Sequence, residues 1–176
     1  MPAEHPGKVS FSYKKYYSFR NKVFHTFGER FHADMQISFV ANVLKYGDTQ
    51  PAVVMSADPL RIAAFSDEMD AVVMLEFPAE LAERYSLSPG TRLTTSCCYF
   101  RGERPKDIFY GPDRSDSLTD VVPVVQLFLG RGDAKIADKV SLFDGAVWDR
   151  VSTLGKDYLS AHPDLKRNGF FYFFKG

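Results

Sequence analysis

Three apolar runs, AVVMS, LRIAAFS and DAVVMLEF, follow one another within residues 51–78, PAVVMSADPLRIAAFSDEMDAVVMLEFP. The breaks between them are rich in Asp, Ser and Pro, which favour turns. A parallel pair of strands needs a crossover of a dozen or more residues, and these breaks are far shorter. The segment therefore predicts three sequential antiparallel strands. This constrains the fold more than any other feature, because everything else must cover or extend that sheet.

The flanking segments supply the cover. PAELAERYSL predicts a short helix opened by Pro78, then a turn at SPG and a strand in TRLTTSCCYF. Residues 101–118 hold two Pro, two Gly and many charges, and read as a long loop. Val121, Val124, Val125, Phe128 and Leu129 have helical spacing behind Asp120, so a helix is expected there. Asp133 opens a shorter helical stretch with Ile136 and Val140. Asp144 opens a long one to about Ala161, ended by Pro163. The aromatic run NGFFYFF reads as a closing strand.

At the amino end, residues 1–8 read as a flexible tail. Val9, Phe11 and Tyr13 alternate with polar residues as in a half-buried strand. Phe19, Val23, Phe24 and Phe27 then share a helical face, with Ser18 as N-cap and Gly28 as C-cap. Asp34 is expected to cap a further helix closed by Gly47, although Met35, Ile37, Phe39 and Val43 also fit a strand. The expected fold is α+β: a mostly antiparallel sheet of about five to six strands covered by three to five helices, with the C-terminal third mainly helical. Residues 9–176 form one globular domain on this reading.

Composition limits the function. Among 176 residues, 22 Lys and Arg balance 22 Asp and Glu, so any grip on a polyanion must be local. The 45% hydrophobic content argues against disorder. Cys97 and Cys98 are adjacent and would point to opposite faces of a strand, which gives no disulfide framework and suits a reducing compartment. With no export signal and no apolar run of membrane length, a cytoplasmic protein with no membrane partner is expected.

Candidate chemistry falls in three places. Residues 8–30 carry Lys8, Lys14, Lys15, Arg20, Lys22 and Arg30 against Glu29, interleaved with rings. Cations beside stacking rings can hold single-stranded nucleic acid, with Lys14, Lys15, Arg20 and Lys22 as the patch. The ring spacing instead follows strand and helix periods, as core-facing rings do, and this argues against nucleic acid as a partner. His32 and Asp34 form an H-x-D motif that, with His25 or His162 as third ligand, would suit a facial-triad metal site. Asp67, Glu68 and Asp70 gather three carboxylates in what reads as a solvated hairpin turn. With Asp58, Glu76, Glu80 and Glu83 they form an acidic middle that could face the basic amino-terminal segment, within the molecule or in a neighbouring copy.

No nucleophile elbow, phosphate loop or dinucleotide fingerprint is present, and no metal or cofactor is expected. The preferred reading is a non-catalytic module that binds a protein or a small molecule, in a possible homodimer. An enzyme or metal protein using His25, His32 and Asp34 is one alternative, and nucleic-acid binding is the other.

Overall fold

A computed structural model describes residues 3–173. Residues 1–2 of the expected tail and Phe174 of the expected closing strand lie outside the described residues. The three apolar runs form β1 (Asp48–Ala57), β2 (Leu60–Ser66) and β3 (Ala71–Phe77), antiparallel in sequence order. β4 (Arg92–Phe100) pairs with the other side of β1, and β6 (Asp120–Val125) with β4. β5 (Ile108–Tyr110) and the two-residue β7 (Arg167–Asn168) share the outer edge of β3. The order is β5-β3-β2-β1-β4-β6, and among the described residues only β7 runs parallel to its neighbour. The mostly antiparallel α+β architecture is as expected.

Continuous rather than alternating apolar runs have a direct cause: the central strands are buried on both faces. Ala52, Val54, Ile62, Ala64, Val73 and Leu75 join one core. Their alternates Val53, Ala63, Phe65, Val72 and Met74 join another, beneath Trp148, Val151, Leu154 and Tyr158 of α7 (Gly145–Ala161). α7 begins at Asp144, whose Oδ1 accepts the Val147 N–H at 3.0 Å. It lies close to the sheet at Gly155, where a Cβ would stand 2.9 Å from the Ala63 Cβ.

The first core is filled from α1 (Tyr13–Val23), α2 (Phe27–Met35), α3 (Ile37–Tyr46), α4 (Ala79–Arg84) and the carboxy-terminal rings. The sheet curls around this core. Arg167, beside β3, donates to the carbonyl of Val121 on β6 at 2.7 Å, which ties one edge of the sheet to the other.

Several expectations are corrected. Residues 120–125 are a strand, not the start of a helix, and only Gln126–Leu129 (α5) makes a helical turn. The run of β-branched valines favours a strand, and Pro123 is tolerated because β6 is an edge. Residues 9–13 form no strand of the sheet. Ser12, not Ser18, caps α1 by accepting the Lys15 N–H at 3.2 Å.

Gly28 lies within α2 rather than ending α1, and Asp34 also lies within α2. Gly47 closes α3 as expected. The read tail is tied down: Gly7, Lys8 and Val9 donate backbone bonds to Gly47, Lys45 and Leu44. After β7 the aromatic run turns into a short 3-10 turn, Phe171–Phe173. Between β6 and α7 lie α6 (Asp133–Asp138) and a 3-10 turn, Lys139–Leu142.

Candidate functional site

The β2–β3 turn, residues 67–70, is held from below by Met69, which is fully buried. Asp70 takes a left-handed conformation, φ 47°, which aspartate tolerates better than most residues. That conformation turns its carboxylate inward. Arg150 of α7 reaches Asp70 Oδ1 with Nε at 2.8 Å and Nη2 at 2.6 Å. The Asp113 N–H donates to Asp70 Oδ2 at 2.7 Å, and Arg150 Nη2 also pairs with the Asp113 carboxylate at 2.9 Å. The Gly111 N–H donates to the Asp70 carbonyl at 2.6 Å. A Cβ at Gly111 would lie 2.4 Å from Asp70 Oδ2, so the loop needs glycine there. Asp70, read from the sequence as solvated, is thus a buried anion that ties α7, the β2–β3 turn and the 101–119 loop together.

Beside it, Gln50 of β1 bridges two more carboxylates. Its Nε2 donates to Asp48 Oδ2 at 2.6 Å and to Asp67 Oδ1 at 2.8 Å, and its Oε1 accepts the Asp67 N–H at 3.1 Å. Burial holds the Asp48 carboxyl above the usual aspartate range, partly offset by hydrogen bonds from Gln50 and the His5 N–H. Between these groups opens a cleft of about 260 Å³. Its polar lining is Gln50, Asp67, Asp70, Asp113 and Arg150, and its apolar lining includes Phe65, Phe143 and Val147. Three carboxylates against one guanidinium leave the lining net negative.

The sequence-derived candidates are only partly brought together. Asp67 and Asp70 share the cleft, while Glu68 is exposed and takes no part in its lining. His25, His32 and Asp34 do not converge. His32 and Asp34 are two residues apart on α2, where side chains diverge by about 200°. Both Asp34 oxygens are taken, by Tyr16 Oη at 2.6 Å and by Arg20 Nε and Nη2 at 2.8 and 2.6 Å. His25 is exposed at the α1–α2 junction, and the Nε2 of His32 is buried without a hydrogen-bond partner. Among the described residues no group of three or more His, Cys, Asp or Glu could hold a metal ion.

The basic patch is largely neutralised. Lys15 Nζ pairs with Asp133 at 2.5 Å and donates to the carbonyls of Leu127 and Gly130. Arg20 is held by Asp34, and Lys22 lies 3.5 Å from Glu80, while Lys14 is exposed. The rings divide: Tyr16, Phe19 and Phe24 are buried, whereas Tyr13, Tyr17 and Phe27 are exposed, against the expectation for Tyr13 and Phe27.

Gln50, Asp113 and Arg150 were not anticipated. Only Asp113 had a signal, its place in a long loop. Compared with family models, curated proteins and solved structures, the chain matches none.

Proposed function

We propose that the chain is a non-catalytic, cytoplasmic ligand-binding module that seats a small organic cation in the cleft between the β2–β3 turn and α7. The observation that carries this is that Asp67, Asp70 and Asp113 line one cleft with a single guanidinium, itself paired with Asp70 and Asp113, beside an apolar lining of Phe65, Phe143 and Val147. Arg150 is already engaged by Asp70 and Asp113, so an anion would meet a spent cation and three like charges. An ammonium group would gain from the carboxylates, and an attached apolar body from the rings. The volume falls below the roughly 300–1,000 Å³ of sites for drug-sized ligands, which limits the occupant to something small.

The cleft also lacks the parts of a reaction centre. Asp70, Asp113 and Arg150 are partnered with one another and Asp67 with Gln50, and no nucleophile lies beside a base in the lining. Cys97 is in the core, where burial pushes its thiol up to about 12, far from a reactive thiolate.

The test uses three probes of one shape: benzylamine, benzyl alcohol and benzoate, titrated into the full chain and followed by NMR shifts. Benzylamine is expected to bind, the alcohol about tenfold more weakly, and benzoate not at all. Asp67→Asn combined with Asp113→Asn should weaken benzylamine about tenfold, because each exposed charge contributes modestly. Equal binding of benzoate and benzylamine, or indifference to the double variant, would remove the proposal.

A further inference from the structure

Helices α1 and α2 follow one another in the chain and are joined where Asp34 accepts from Tyr16 and Arg20. Their inward sides carry Tyr16, Phe19 and Ala33, all buried. Their outward sides are unusual for residues in contact with water. On α2, Phe27, Phe31 and Met35 are 83%, 58% and 65% exposed; on α1, Tyr13 and Tyr17 are 50% and 57% exposed. Spacing of i, i+4 and i+8 sets the α2 trio on one helical face, and Tyr13 and Tyr17 are likewise four apart. Rings stack along each helix, Phe27 with Phe31 at 6.4 Å between centroids and Tyr13 with Tyr17 at 6.3 Å. Gly28, also exposed, adds no charge at the amino end of this face. Isolated exposed apolar residues are ordinary, but five on adjoining helices form a patch of the kind that marks an interface.

We propose that this face docks on the same face of a second copy of the chain, as a two-fold homodimer. Area supports it. With aromatic side chains of about 150–250 Å² each, the five residues at these exposures offer on the order of 600 Å² per copy. A standard interface buries about 800 Å² per partner, so a modest polar rim completes it. Charge supports it as well. Three of the four cations of α1 pair with Asp133, Asp34 and Glu80, which leaves little beyond Lys14 to hold a polyanion or an anionic bilayer. The same neutrality lets two identical faces meet without like-charge repulsion.

The stripe is also symmetric about Phe31. An antiparallel crossing at that residue sets Phe27 of one copy against Met35 of the other, a ring–thioether contact made twice by the two-fold. This differs from an acidic–basic pairing between copies: the Lys22–Glu80 contact already satisfies that chemistry within one molecule.

Sedimentation equilibrium of the full chain tests the proposal. The wild type is expected to dimerise, and high salt should not separate the copies, because the contact is apolar. Phe31→Glu should raise the dissociation constant about thirtyfold or more, as for a central interface residue. Its circular dichroism and melting should match those of the monomer, since the side chain is exposed. Lys14→Glu should leave the dimer intact. A wild type that stays monomeric at its highest soluble concentration would overturn the proposal. So would a Phe31→Glu variant that dimerises equally well. A monomer that sediments with phosphatidylserine vesicles would also overturn it and assign the face to a lipid surface.

Discussion

The carboxylate of Asp34 shows how one side chain can be turned from a chemical candidate into a structural part. Arg20 and Tyr16 saturate both of its oxygens, and the Arg20 hydrogen bonds hold its pKa below the usual aspartate range. A depressed carboxyl pKa contributes stability above the pKa of the unfolded chain, and that contribution is lost as pH falls through the folded value. The pair is partly open to water, so its worth is small, under about 1 kcal/mol. Asp34→Asn should therefore lower stability by up to that amount at neutral pH. The gap to wild type should close as pH drops below the ordinary aspartate range. Urea unfolding across a pH series measures this, and a gap that persists in acid would contradict the assigned cause.

At the scale of elements, helix boundaries followed local side-chain chemistry that the periodicity of the apolar residues could not resolve. Two serines stand near the start of α1. Ser12 accepts the Lys15 N–H and opens the helix, whereas Ser18 lies within it and donates to the Lys15 carbonyl. Ser12→Ala should cost about 1 kcal/mol as a lost cap, and Ser18→Ala should stay within about 0.5 kcal/mol. Reversed costs in chemical denaturation would return the cap to Ser18. β6 carries the same lesson from the other side. Its valines meet helical spacing and strand propensity alike, and pairing with β4 decided between them.

For the whole molecule, closure of the curled sheet rests on Arg167. Its guanidinium makes a two-pronged pair with Asp107 at 2.8 and 2.7 Å, donates to the Val121 carbonyl, and lies 3.3 Å from Asp120. The side chain is buried, so removing it strands carboxylates that were placed for it. Arg167→Met is expected to cost about 3–5 kcal/mol, a fall in melting temperature of roughly 6–20 °C for a chain of this length. A calorimetric shift of under a few degrees would mean that the two sheet edges hold together without it.

The apolar runs of residues 51–78 by themselves determined the antiparallel sheet, and Asp144 and Pro163 determined the extent of the long helix, because turns, caps and strand patterns act over a few neighbouring residues. Asp67 and Asp70 could also be picked out as a carboxylate cluster. That Asp70 is buried against Arg150, eighty residues away, was decided by the packing of α7 across the sheet. Likewise, the period of α2 reports that one side is apolar, but not whether anything covers it. Only tertiary structure fixes which face of a helix meets the core, since burial belongs to pairs of surfaces rather than to a stretch of chain.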